Sequence, residues 1–292
     1  MKPLSRRRFL AISAAALATP ATAAPLRWQG VALGADVSLT LHAPEPIAEE
    51  ALRQTRKRLR QIEGLFSLYD PGSALSQLNR DGVLPAPHPL FSDLMRLCDQ
   101  AHSLTNGLFD PTIQPLWQAL ATGAPTGPAH QAIGWHRIHI GDPTRLPPGQ
   151  ELTFNGIAQG FATDLIRADL TSLGLGKALI NIGEYAALGG PFILGLADPA
   201  QGIYATRRLD NSAIATSSPS AMSLGERSHI LYPNRQPHWS TVSVEAPKAA
   251  LADALSTAFC LMTVDEIRET RDQLPDRLRI TLLKRNGDIQ TL

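Results

Sequence analysis

Apolar and polar positions alternate from Leu26 to His42, with Val31, Leu33, Val37, Leu39 and Leu41 on one side, a pattern that predicts one or two strands. The period then lengthens. Pro46 opens a helix that runs through Phe66 and turns Leu52, Leu59, Ile62 and Leu65 inward. Ser67 to Asn79 reads as a turn followed by a short helix. Pro89 to Thr105 reads as a second amphipathic helix, carrying Leu90, Leu94, Leu97, Ala101 and Leu104 and stopped by Asn106-Gly107. Two prolines bar Leu108 to Leu116 from regular helix and from a central strand. A loop rich in proline and glycine spans Gly123 to Gly149 around a strand expected at Arg137 to Ile140.

The second half is richer in strands. Short apolar runs at Ala178–Ile182, Phe192–Leu196, Ile203–Leu209, Ala213–Thr216 and Thr241–Val244 are separated by Gly, Pro, Asn and Asp. Helices are expected from Lys248 to Met262 and from Val264 to Gln273, then a strand at Leu278–Leu283, an Asn286-Gly287 turn and a last strand from Ile289. This mixture predicts an α+β fold built on a large, mostly antiparallel sheet with flanking helices.

Between the halves lies Leu152 to Asp164. Leu152 to Phe154 read as a strand end and Asn155 as an N-cap, with Gly156 and Gly160 in the first turn and Ile157, Phe161 and Leu165 on a buried face. A helix start so bare suits a phosphate or pyrophosphate, whereas the same Gly-x-x-x-Gly spacing also suits close packing against a neighbour. On the late helix, Asp253, Ser256 and Thr257 share one face. A carboxylate with hydroxyls is a hard oxygen set suited to Mg²⁺, and equally an ordinary helix whose hydroxyls bond back to its own carbonyls. Ala213 to Ser218 runs into three hydroxyls that suit a phosphate or ribose, and equally a plain strand end. His229 stands beside an apolar pair, either as a base or as a structural histidine.

Charge and cysteine usage narrow the class. With 27 basic and 26 acidic residues the net charge is +1, so no global field points to nucleic acid, and the basic run Arg53 to Arg60 reads as a solvated helix face. Cys98 and Cys260 lie in apolar helical patterns, either paired or as buried thiols, and neither they nor the eight scattered histidines have zinc spacing. At the N-terminus, Ser5-Arg-Arg-Arg-Phe-Leu10, a short apolar run and Ala21-Thr-Ala23 read as a twin-arginine signal over residues 1–24, cleaved on export to a periplasm, with inner-membrane association left open. Residues 25–292 remain as the folded domain.

In order, Ser67-Leu-Tyr69, Gly107-Leu-Phe-Asp-Pro-Thr112, Asn155-Gly-Ile-Ala-Gln-Gly-Phe161 with Asp164, Asn181-Ile-Gly183, Ala215-Thr-Ser217, Ser228-His-Ile230 and Ala252-Asp-Ala-Leu-Ser-Thr-Ala258 resemble the ApbE family of FAD:protein FMN transferases. The resemblance implies a fold related to the T-fold, FAD as substrate and Mg²⁺ as cofactor. It further implies transfer of FMN to a Thr or Ser hydroxyl of a partner flavoprotein, such as an electron-transfer subunit of a membrane complex, with release of AMP. It assigns Gly156, Asp253, Ser256 and Thr257 to the metal. Leu33, Tyr69, Leu108, Phe109, Asp110, Thr153, Gln159 and Leu231 fall at FAD positions, while His229 matches the general base and Asp253 counts as catalytic through the metal. Departures from the family pattern stand at Thr153, Gln159, Glu184, Ser218 and Tyr232. Hydrolysis of FAD to FMN and AMP, and a non-catalytic flavin-binding or assembly role, are the alternative readings.

Overall fold

The structure is a computed structural model that describes residues 24–275 and 278–292; the expected signal segment, Ala24 apart, lies outside the described residues. β1 (Leu26–Ala32) and β2 (Ala35–Leu41) form a hairpin that turns at Leu33 and Gly34, both at positive φ, and α1 (Glu45–Phe66) follows. Next come α2 (Ala74–Asp81), β3 (Val83–Leu84), α3 (Pro89–Leu104), α4 (Gln114–Thr122), α5 (Gly127–Ala132) and β4 (Thr144–Arg145). The chain continues through α6 (Ala158–Ser172), β5 (Ala178–Asn181), β6 (Tyr185–Leu188), β7 (Phe192–Asp198), β8 (Gly202–Leu209) and β9 (Ala213–Ser217). It closes with β10 (Ser223–Leu224), β11 (Arg227–Ser228), β12 (Thr241–Ala246), α7 (Ala249–Phe259), α8 (Val264–Asp272), β13 (Arg279–Leu283) and β14 (Ile289–Thr291).

One antiparallel sheet in the order β1-β2-β5-β6-β9-β12-β13-β14 organises these elements. Side chains of a strand alternate between faces, so each strand serves two cores. Ile180, Ala215, Val242, Val244, Ile280 and Leu282 join the main core with the helices, including Phe66, Phe91, Phe154 and Phe161, whose rings pack edge to face or tilted. Leu179, Tyr185, Ala187 and Ile214 face the other way and bury against Leu194, Leu196 and Leu209 of the β7–β8 hairpin.

Several local expectations need correction. Leu152 to Phe154 is not a strand: Leu152 exchanges both backbone hydrogen bonds with the Asn79 side chain, and Thr153 N donates to Pro111 O, so side chain and loop replace a ladder. Arg137 to Ile140 holds a 3₁₀ turn and one isolated bridge, His139 to Arg145, in place of a strand. α4 begins inside the proline-rich segment because Pro115 occupies its first turn, where a missing N–H costs nothing. Asn155 is exposed and does not cap α6, whose N-cap position is Ile157. Cys98 and Cys260 are buried and free.

The start of α6 is capped from another helix. Gly160 N donates to Asp253 Oδ2 on α7 at 3.0 Å, while Ala249 N and Ala250 N donate to the two oxygens of Asp164 on α6, each at 3.0 Å. Each helix thus satisfies the other's first turn with a carboxylate placed four residues beyond its own capped N–H, where a helix brings side chain and first turn onto one face. Such contact requires close approach. A methyl group on Gly160 would lie 2.3 Å from Ala249 O and 2.7 Å from Ala250 Cα. Gly160→Ala is therefore expected to push the helices apart and to cost about 2–3 kcal/mol of stability, read as a lower midpoint in urea unfolding. An unchanged midpoint would show that the junction tolerates separation.

Candidate functional site at the helix junction

The face of α7 carrying Asp253, Ser256 and Thr257 sits over the end of β9. Ser217, the last residue of that strand, places its Oγ 2.8 Å from Ser256 Oγ and 3.3 Å from Thr257 Oγ1. Ser256 also donates to Asp253 O, one turn back. From the turn before α6, Gly156 faces the same group: a methyl group there would lie 3.0 Å from Thr257 Oγ1 and 3.4 Å from the Phe109 ring. Asp253, Ser256, Thr257, Gly156 and Ser217 therefore converge from two helix ends and one strand end.

Burial governs the electrostatics. Asp253 is 3% exposed, and burial pushes its carboxyl up to about 7 against the opposing Gly160 N–H. Glu184, 7% exposed, is also raised, first by burial and then by the Asp253 charge, while its bond from Thr216 N pulls the other way. Among the described residues neither carboxylate has a Lys, Arg or His ion-pair partner. A buried carboxylate without a counter-charge, on one helix face with two hydroxyls and with a glycine packed closely against Thr257, offers the oxygen donors a hard cation takes. The described residues contain no group of three or more His, Cys, Asp or Glu side chains of metal-site spacing; the donors at this junction are one carboxylate and hydroxyl oxygens, which are hard ligands.

The positions expected to meet FAD divide into several groups. Tyr69, 68% exposed, lines an open cleft of about 190 Å³ with Leu68, Gln114, Trp117, Gln118 and Asn155. Leu33 lies at the same end of α1, its N–H donated to Glu63 Oε1. Leu108 and Phe109 are buried, and the Phe109 ring reaches Gly156. Asp110 turns its carboxylate into its own loop, accepting from Thr112 N at 2.8 Å and Thr112 Oγ1 at 2.6 Å and lying 3.4 Å from Trp135 N. Thr153 Oγ1 accepts from Asn155 N, and the Gln159 amide packs against the backbone of Gly183.

Leu231 lies in the loop after β11, half-buried; its neighbour Tyr232 brings its hydroxyl to 3.7 Å from where a Gly107 side chain would begin. His229 is bound to the turn before it: backbone N–H and ring Nδ1 each lie 3.2 Å from Met222 O. A carbonyl only accepts, so Nδ1 donates to it, and in the neutral ring Nε2 holds the lone pair. Trp117, and the pairing of Ser217 with Ser256 and Thr257, escaped sequence reasoning. Glu184 stood out in the sequence only as a departure from the family pattern after Asn181-Ile-Gly183.

The model of the ApbE family matches residues 33–282. An FAD:protein FMN transferase of Rhodobacter capsulatus is 26% identical over 273 residues, covering 82% of this chain and 52% of that protein, so the chain spans about half the length of the relative it matches. The flavin transferase ApbE from Vibrio cholerae superimposes with a TM-score of 0.79 at 19% identity, over 92% of this chain and 96% of that one. The apo form of the Pseudomonas stutzeri flavinyl transferase ApbE gives 0.77 at 23% identity, over 92% and 93%. These likenesses confirm the α+β fold with its large antiparallel sheet.

The raised Asp253 carboxyl sets a pH dependence. Its folded value of about 7 lies above the ordinary 3.8, so the folded state holds the proton more tightly, and stability without cation declines as pH rises from about 4 to 7. Asp253→Asn removes that contribution. In cation-free buffer the variant should equal the wild type near pH 4 and exceed it at pH 8, by an amount on the order of 2 kcal/mol. Thermal melts at the two pH values check this, and a constant difference between them would contradict it.

Proposed function

The chain belongs to the ApbE family, and from that premise we propose that it transfers the FMN moiety of FAD to a Thr or Ser hydroxyl of a partner flavoprotein and releases AMP. The observation that carries this reading is the convergence of Gly156, Ser217, Asp253, Ser256 and Thr257 next to Phe109. Attack on a pyrophosphate needs its charge neutralised and a hydroxyl proton removed. The acceptor oxygen forms a bond to the FMN-side phosphorus, the bond from that phosphorus to the bridging oxygen breaks, and the electron pair leaves on AMP.

Asp253, Thr257 and the backbone carbonyl of Gly156 would hold Mg²⁺, with Ser256 beside them, and the ion supplies charge neutralisation to the non-bridging phosphate oxygens. Ser217 orients the two α7 hydroxyls. The Tyr69 and Trp117 cleft offers aromatic surface to a flavin or adenine ring. His229 takes the acceptor proton at Nε2, the nitrogen that its bond to Met222 O leaves unprotonated. The acceptor is a flavoprotein of the exported compartment, reached through the twin-arginine segment.

Mass spectrometry tests the reading directly: a candidate acceptor is incubated with the mature chain, FAD and Mg²⁺, and AMP is followed in parallel. A mass gain of one FMN on Thr or Ser, matched by AMP and abolished by EDTA or Asp253→Ala, is expected. AMP without acceptor modification would replace transfer by hydrolysis, and neither product despite bound FAD would indicate a non-catalytic flavin binder. His229→Ala should slow transfer about 100-fold or more while FAD binding persists. Replacing Arg6 and Arg7 by Lys should retain the unprocessed chain in the cytoplasm, read by fractionation; export of that variant would exclude the twin-arginine route.

A further inference from the structure

Glu184 is a buried carboxylate for which the reaction above has no use. It follows Gly183, which turns β5 into β6 at a φ of +96°, and the first turn of α6 lies directly on that turn: a side chain at 183 would meet the Gln159 amide at 2.4–2.7 Å. The residue after Gln159 is Gly160, whose N–H holds Asp253. On its other side, Glu184 Oε2 accepts from Thr216 N at 3.1 Å, and Thr216 precedes Ser217, the partner of Ser256 and Thr257. The pairing of β6 with β9 covers only Tyr185–Ile214 and Ala186–Ala213, so the carboxylate completes the edge of β9 where the neighbouring strand has ended.

Glu184 is thus fixed between β9 and α6 at the same junction as Asp253, through Thr216 on one side and the Gly183 turn against Gln159 on the other. A strand edge could be completed by an uncharged side chain. Two buried carboxylates at one junction, with no basic side chain paired to either among the described residues, are neutralised either by protons or by a cation from outside the chain, and a divalent cation there would displace the protons.

We propose that Glu184 supplies the second carboxylate of the cation site whose first is Asp253, so that the protein's own charge balances a divalent cation before FAD arrives. This rests on the reading that Asp253 holds Mg²⁺. With one carboxylate the site would depend on substrate phosphates for its remaining charge; with two, a hard divalent ion is bound by the protein alone.

Mn²⁺ provides the probe, titrated into the mature chain with and without saturating FAD and followed by the electron paramagnetic resonance of the free ion. The wild type is expected to bind Mn²⁺ without FAD. Glu184→Gln, which keeps an acceptor of the right length for Thr216 N, should weaken that binding about tenfold or more and lose less in the presence of FAD. Glu184→Asp, shorter but charged, should bind more tightly than the Gln variant. A role confined to the strand edge predicts the reverse order, with Gln at wild-type affinity and Asp impaired, and that result would overturn the inference. If Asp253→Asn abolishes binding while Glu184→Gln binds like the wild type, the inference about Glu184 fails alone. If Asp253→Asn binds like the wild type, or the wild type binds no Mn²⁺ in either state, the metal reading fails with it.

Discussion

Two helix N-termini that cap each other hold this structure's site together. Gly160 and Asp164 on α6 meet Asp253 and Ala249 on α7 with the same four-residue spacing on both sides, a local two-fold arrangement in which each helix gives one carboxylate and takes one. Helix ends buried with unpaired N–H groups would be costly, so the exchange ties the two helices in both position and rotation. Gly160 is what permits it, because any side chain there would occupy the place of Ala249 O. Once the helices are fixed, Thr257 faces Gly156 and Asp253 is placed one turn away on the same helix. The carboxylate that caps α6 is also the one the metal reading requires, so fold and chemistry share one group.

The sheet beneath adds precision through alternation. Along β9, Ala213 and Ala215 pack toward the helices and Ser217 continues that side into the α7 hydroxyls. The intervening residues serve the opposite face. Thr216 pairs with Ser243, which pairs with Tyr204 of the hairpin; Ser218 pairs with Thr241, which donates to Asp198. Asp198 also accepts from Ser240 and from two backbone N–H groups, and these bonds hold its carboxyl below the usual range despite burial. The end of β9 is thereby anchored from below by a saturated polar network, and a residue that must hold two hydroxyls in register gains from such a support.

Much of this was legible in the sequence because it rests on period and punctuation. The β1–β2 hairpin, α1, α3, α7, α8 and the terminal hairpin follow from alternation, from helical spacing and from Asn106-Gly107 and Asn286-Gly287. Asp253, Ser256 and Thr257 were legible as one face by spacing alone. What escaped was set by partners distant in sequence. Leu152 to Phe154 has a strand's composition, but Asn79, 73 residues earlier, takes its backbone bonds. Asn155 has a cap's chemistry, but Asp253 arrives from 93 residues away and caps α6 instead. Of the two readings of Gly156 and Gly160, close packing holds for both, most tightly at Gly160 against Ala249 and less so at Gly156 against Thr257 and Phe109. β6 was invisible because Tyr185 to Leu188 is too short and alanine-rich to show a period.

The α6–α7 junction is proposed to hold a divalent cation against the pyrophosphate of FAD. Anomalous diffraction from crystals grown with FAD and Mn²⁺ tests it most directly. One peak is expected within about 2.5 Å of Asp253 Oδ and Thr257 Oγ1, with the Glu184 carboxylate, the Gly156 carbonyl and phosphate oxygens around it. Bound FAD with no peak at the junction, or a peak elsewhere in the molecule, would contradict it.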